Sequence, residues 1–165
     1  MKHLLCAILI LGCSKAALAA DAAAPAAFPS GILSLGDQSR VIFVVDKLRR
    51  FLRVYEFENK RPKLVLEVPS DIGKAIGDKE RENDHKTPTG IYFLLAKRQP
   101  PEIPFSLYGS LAFTTDYPNI FDRRNNKGGS GIWLHAVPDT VALTRGSRGC
   151  VVVRDNVIKQ LSNYV

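Results

Sequence analysis

From Arg40 onward the chain repeats short apolar segments between tight polar turns, and that rhythm restricts it to a β-rich fold. Val41-Ile42-Phe43-Val44-Val45 is an apolar run of strand length, and Asp46-Lys47 follows as a turn. Phe51-Leu52-Arg53-Val54-Tyr55-Glu56-Phe57 alternates as a second strand, Glu58-Asn59-Lys60 turns, and Lys63 to Val68 forms a third. Three such strands at short spacing predict an antiparallel meander. Gly73 to Gly90 is polar and rich in turn residues, and it ends in Lys86-Thr87-Pro88-Thr89-Gly90. Ile91 to Leu95 reads as another strand, Gln99 to Pro104 as a proline-rich loop, and Leu111-Ala112-Phe113 as a short apolar piece before the Tyr117-Pro118-Asn119 loop. After the Asn125 to Gly131 turn, Ile132-Trp133-Leu134 is a short strand leading into His135. Gly146-Ser147-Arg148-Gly149-Cys150 is a small-residue turn entering Val151-Val152-Val153, and Asp155 is placed to N-cap a last helix from Asn156 to Leu161. The expectation is one mainly β domain over 40–165, a compact β-sandwich or barrel-like fold with one or two short helices, and 165 residues suffice for a real core.

The first twenty residues have a different character. Met1-Lys2-His3 is a short basic start, Leu4 to Gly12 is almost wholly apolar but short for a membrane span, and Ala17-Leu18-Ala19 offers small residues at signal-peptidase spacing. This reads as a secretory signal outside the fold, cleaved near Ala19 or Ala20, followed by an Ala/Pro-rich linker and lead-in over 21–39. No transmembrane segment is expected after cleavage. Ile10-Leu11-Gly12-Cys13 resembles a lipobox, so a lipid anchor on Cys13 is a second expectation for the same segment.

The formal net charge is +7. Without Lys2 and Lys15 the chain keeps 21 basic and 16 acidic residues, about +5, which suits an anionic cell envelope. The basic residues, among them Lys47, Arg49, Arg50, Arg53, Lys60, Arg61 and Lys63, are scattered among apolar ones as on solvated strand faces. With no arginine-rich run and no nucleic-acid motif, no nucleic-acid partner is expected.

Beyond the signal, the domain keeps one cysteine, Cys150, and two histidines, His85 and His135. That set falls short of a structural zinc site, so no metal and no cofactor are expected. A lone cysteine in an exported chain is an inert core thiol, an intermolecular bridge or a reactive nucleophile. Cys150 follows Gly149 at a turn entering a strand, where successive backbone N–H groups can converge into an oxyanion hole; Arg148, Gly149 and Cys150 are the candidate donors. A nucleophilic thiol needs a base, and His135, fifteen residues upstream at the end of its own strand, is the candidate. The imidazole then needs an acceptor on its other nitrogen, for which Asp139 is near in sequence and the backbone carbonyl of Ala136 would also serve. His85 sits in a polar loop and is expected to be solvated.

Ile132-Trp133-Leu134-His135 followed by Ser147-Arg148-Gly149-Cys150-Val151 resembles the active-site signature of the L,D-transpeptidase catalytic domain, the YkuD family, and Lys86-Thr87-Pro88-Thr89-Gly90-Ile91-Tyr92 is similar to its Thr-Pro-X-Gly segment. Tyr117-Pro118-Asn119 and Gly131 to His135 look like the branch containing murein L,D-carboxypeptidases of helical bacteria. The resemblance spans roughly residues 40 to 165. It implies a cysteine acyl-enzyme acting on peptidoglycan stem peptides at meso-diaminopimelate, in the periplasm or cell envelope. Cys150 would be the nucleophile, His135 the base and the Ala136 carbonyl its orienting group, with Ser147, Arg148 and Gly149 at the substrate or oxyanion. An amine acceptor makes the enzyme a transpeptidase that cross-links or attaches proteins to the wall; water makes it a carboxypeptidase that trims tetrapeptide to tripeptide. Arg148 stands where many members have histidine, and Ala136 where many have glycine. The chain ends soon after its last helix, so an inactive or truncated wall-binding β-module is the third expectation.

Overall fold

The computed structural model describes residues 7–11, 41–59 and 61–165. The expected cleavage site, the linker and Cys13 lie outside the described residues. The chain forms one curled eight-stranded sheet. Its strands are β1 (Ala7–Leu11), β2 (Val41–Asp46), β3 (Phe51–Glu58), β4 (Arg61–Pro69), β5 (Gly90–Arg98), β6 (Ala112–Thr115), β7 (Trp133–Val137) and β8 (Val151–Arg154), in the spatial order β4-β3-β2-β1-β5-β6-β7-β8. Three short helices join them: α1 (Phe105–Tyr108), α2 (Ile120–Arg124) and α3 (Asp155–Leu161).

The meander β2–β3–β4 is antiparallel, with Val45 opposite Leu52 and Val54 opposite Leu66. Alternation decides which side each residue takes. Phe43, Val45, Leu52 and Val54 point into the main core beside Tyr92, Phe113, Leu134, Val151, Ile158 and Leu161. Ile42, Val44 and Tyr55 take the opposite face with Leu9 and Phe57.

The apolar run near the N-terminus departs from its expected place outside the fold. Ala7–Leu11 lies within the sheet, parallel to β2 and antiparallel to β5. Ile8 and Ile10 are sealed in the main core, while Leu9 joins the second cluster. An apolar stretch of this length satisfies a strand slot for the same reason that it satisfies an export signal, since neither use tolerates a charge. Among the described residues no helix is long and apolar enough to cross a membrane.

β7 and β8 are parallel neighbours, with His135 opposite Val152 and Leu134 opposite Val151. His135 is the middle residue of β7 rather than its end, because Ala136 and Val137 are buried and continue the ladder. Asp155 is the first residue of α3 rather than its cap. Its carboxylate accepts from the Ser110 N–H and pairs with Lys159, and its own N–H donates to Asp139. α1 and α2 were not evident in the sequence: they are one turn each, and the α2 start is built from a reciprocal Asn119–Asp122 capping box.

Candidate active site

Cys150, the only cysteine among the described residues, sits one residue before β8, and His135 faces the same side of the sheet from β7. Because Cys150 lies two residues before Val152, the residue paired with His135, the thiol and the imidazole are diagonal neighbours across two parallel strands. Both line a cavity of about 430 Å³ together with Asp71, Lys74, Leu107, Tyr108, Ser147 and Arg148.

His135 is 7 % exposed and its Nδ1 lies 2.7 Å from the Ala136 carbonyl oxygen. A carbonyl can only accept, so Nδ1 carries the proton and the neutral ring keeps its lone pair on Nε2. Asp139, the other orienting group considered, is engaged elsewhere: its carboxylate accepts from the Asp155 N–H at 3.0 Å and its carbonyl from Arg154 at 2.6 Å. The ring of Tyr108, from α1, stands edge-on to the imidazole at 5.0 Å and packs against Trp133 at 5.2 Å, closing the cavity over His135.

The Cys150 Sγ donates to the Gly131 carbonyl at 3.4 Å. Burial pushes its pKa above the ordinary thiol range, partly offset by the Trp133 N–H and the Lys79 ammonium. That direction disfavours the thiolate, so attack would call for a base to take the thiol proton.

The turn before Cys150 is held from behind. The Ser147 hydroxyl donates to the Cys150 carbonyl at 2.7 Å and accepts from the Gly149 N–H at 2.9 Å. The Ser147 N–H donates to Ile72 O at 2.8 Å, and the Gly146 N–H to Asp71 Oδ2 at 2.6 Å. Of the three donors read from the sequence, Gly149 is thus engaged with Ser147; among the described residues the N–H groups of Arg148 and Cys150 carry no such bond. Gly149 has φ 131°, and a Cβ there would lie 2.6 Å from the Lys86 carbonyl oxygen, so only glycine lets the turn pass this close to the Lys86-Thr87-Pro88-Thr89-Gly90 segment.

That segment lies against the turn before Cys150. The Thr87 hydroxyl accepts from the Gly73 N–H at 2.8 Å, and Lys47 reaches the carbonyls of Thr87 and Gly77 at 2.6 and 2.8 Å. Deeper in the loop, Lys79 and Asp84 form a buried ion pair at 2.8 Å, with side chains 3 % and 6 % exposed. Asp84 also accepts from the N–H groups of Glu80, Arg81 and Lys86. Burial alone would raise its pKa, but Lys79 and these N–H groups hold it well below the usual carboxylate range. His85, expected to be solvated, is half-buried instead, with φ 55°, and its carbonyl accepts from the Ala75 N–H at 3.1 Å. The loop folds inward around Asp84, and His85 goes with it.

Arg148 and Lys74 flank the cavity as exposed cations. The residues that sequence reasoning missed are Asp71, Lys74 and Tyr108. Asp71 and Lys74 lie in a stretch that reads as a polar connection, and Tyr108 follows a proline-rich loop, so no periodicity marks any of them.

A curled β-sheet that sets a cysteine at a glycine turn diagonally across from a carbonyl-tethered histidine defines a class of proteins with a thiol–imidazole site at the end of two parallel strands. The family model of the YkuD L,D-transpeptidase catalytic domain matches residues 40–165, and the chain belongs to that family. Among solved structures it is similar to Bd1075 of Bdellovibrio bacteriovorus, with 56 % identity and a TM-score of 0.71 over 81 % of this chain and 48 % of that one. It is also similar to the helical cell shape determining protein Pgp2 of Campylobacter jejuni, with 35 % identity and a TM-score of 0.70 over 83 % of this chain and 48 % of that one. The chain therefore spans about half the length of these two structures. A search of curated proteins gives no match.

Proposed function

We propose that the protein is an exported cysteine enzyme that opens the bond after meso-diaminopimelate in peptidoglycan tetrapeptide stems. The observation that carries this is the shared cavity of Cys150 and His135, with His135 Nδ1 tied to the Ala136 carbonyl. Nε2 takes the thiol proton as Sγ attacks the diaminopimelate carbonyl. The N–H groups of Arg148 and Cys150 hold the developing oxyanion. His135 returns the proton to the amine of the departing D-alanine, which leaves a thioester on Cys150. Arg148 and Lys74 suit the carboxylates of the stem peptide.

The thioester is resolved by an amine or by water. The family resemblance puts the amine, and so a transpeptidase, first. Arginine at position 148, together with the resemblance to the murein L,D-carboxypeptidase branch, favours water, which would release a tripeptide. Incubation with disaccharide tetrapeptide, with and without an added D-amino acid, separates the two by mass spectrometry. Tripeptide alone indicates water; cross-linked dimer or an exchanged fourth residue indicates an amine. Export is part of the proposal. Cleavage at Ala19 or Ala20 would remove β1 and leave β2 and β5 without their shared neighbour, so the processed and full-length chains should differ in stability.

A further inference from the structure

We propose that Asp71, braced by Arg50, is a positioning residue that sets the nucleophile turn. Asp71 is 3 % exposed, and although it lies at the cavity wall both its oxygens are turned to the protein. Oδ1 accepts from the Arg50 guanidinium at 2.8 Å and from the Ile72 N–H at 2.9 Å. Oδ2 accepts from the Gly146 N–H at 2.6 Å. The backbone around it is stitched to the same turn and to β8: Asp71 N–H to Val152 O at 2.7 Å, Val152 N–H to Asp71 O at 2.9 Å, and Lys74 N–H to Ser147 O at 3.0 Å.

These contacts act on one place. Gly146 opens the five-residue turn that ends at Cys150, and it has φ 74°. A Cβ on Gly146 would lie 2.6 Å from the Lys74 side chain, so the turn is pressed onto the 71–74 segment with no room to drift inward. The carboxylate of Asp71 prevents drift outward. Arg50, in the β2–β3 turn with φ 56°, braces that carboxylate through an ion pair at 2.8 Å. The turn between two strands of the meander thereby reaches Asp71 through this ion pair, beside the Ser70 N–H to Arg50 O bond at 2.9 Å and the Lys47 contacts to the 77–89 segment. Misplacing a nucleophile by about 1 Å costs on the order of 100-fold in rate, so the strut is a device for kcat rather than for substrate affinity.

This inference rests on Cys150 being the nucleophile, and its test reads Cys150 in two independent ways. The variants are Asp71→Ala, Asp71→Asn, Arg50→Gln and Arg50→Lys in the full chain, assayed for product release from disaccharide tetrapeptide and for the rate of Cys150 alkylation by iodoacetamide. Melting temperature is measured alongside, and assays run where each variant is folded. Asp71→Ala should lower kcat about 10- to 100-fold with KM within about threefold. Asp71→Asn should fall between it and the native chain, because one amide oxygen cannot serve both sides of the carboxylate. Arg50→Gln should lower kcat about 3- to 10-fold, and Arg50→Lys should restore most of the loss. If Asp71→Ala does not fold, Arg50→Gln decides, since its side chain lies at the surface. Native kcat in a folded Asp71→Ala or Arg50→Gln, or a rise in KM with kcat unchanged, overturns the strut. If the native chain yields no Cys150-dependent product, the enzymatic reading fails on its own. Alkylation then decides the placement: a rate changed severalfold in Asp71→Ala supports it and an unchanged rate overturns it.

Discussion

The meander β2–β4 and the segment 70–90 hold equal claim to the interior of this molecule, yet they are built by opposite means. In the meander, Phe43, Leu52 and Val54 face the main core while Ile42, Val44 and Tyr55 are buried on the opposite face, and the backbone bonds are those of the ladder. In the 70–90 segment Ile72 alone joins the apolar core, and the buried polar side chains include Asp71, Lys79 and Thr87, with Asp84 beside them; these bond directly to backbone groups and, for Lys79 and Asp84, to each other. The first construction tolerates exchange of one apolar residue for another of similar size. The second does not, because removing one partner leaves a buried charge or donor unsatisfied. The turn from Gly146 to Cys150 is mounted on the second.

The largest effect that tests this contrast is on chemistry. His135→Gln should reduce turnover of tetrapeptide about 1,000-fold or more, because burial disfavours the Cys150 thiolate and the proposed base would be gone. Turnover within tenfold of native would show that the thiol is activated by something other than His135.

The next compares the two constructions in stability. Leu52→Ala in the meander should cost about 2–5 kcal/mol through the cavity it leaves. Asp84→Ala, in a loop with no strand of its own, should cost about 3–5 kcal/mol, because it strands the buried Lys79 ammonium. Chemical denaturation of both variants reads the comparison; an Asp84→Ala loss below about 1 kcal/mol would mean that Lys79 escapes to water.

How far each region could be read in advance follows from the same difference. Pattern marks β2, β3 and β5: Val41–Val45 announces its burial by being apolar, whereas Ile91–Leu95 marks a strand that buries Tyr92 and Leu94 and leaves Ile91, Phe93 and Leu95 exposed. The turn at Gly149-Cys150 and the strand around His135 were legible from residue type and spacing. Asp71 and Asp84 were not: an aspartate in a polar, glycine-rich stretch looks solvated until its partners, Arg50 at 21 residues' separation and Lys79 within a folded loop, are brought to it. Ala7–Leu11 falls in a segment whose sequence reads as an export signal or a lipid-anchored leader, since a bare apolar run carries no information about the strands it will join.

A pH series separates the constructions further. Asp46, Asp84 and Asp155 all have lowered pKa values. In each case burial opposes the shift and is outweighed by hydrogen bonds, chiefly from the Arg49 N–H and Arg53, from Lys79 and the N–H groups of Glu80, Arg81 and Lys86, and from Lys159 and Ser110 respectively. A carboxylate depressed in the folded state contributes stability above its unfolded pKa of about 4, and that contribution fades as pH falls through the folded value. The melting temperature should therefore be insensitive to these groups near pH 6 and fall progressively below about pH 4, and Asp84→Asn should flatten the fall.

For the thiol the direction is opposite. The alkylation rate of Cys150 should rise with a midpoint above the ordinary thiol value of about 8.5. A midpoint below 7 would reveal a preformed thiolate–imidazolium pair. The smallest effect is at the rim: Tyr108→Ala should lower kcat about 3- to 10-fold by removing the ring that packs on His135. A change in KM alone would assign Tyr108 to the substrate instead.

The central claim is that Cys150 forms the acyl-enzyme. Its most direct test is incubation of the native chain and Cys150→Ala with disaccharide tetrapeptide, followed by mass spectrometry of the muropeptides. The account predicts loss of the terminal D-alanine with the native chain, as tripeptide or as cross-linked product, and none with Cys150→Ala. Equal product from both proteins, or none from the folded native chain, would contradict it.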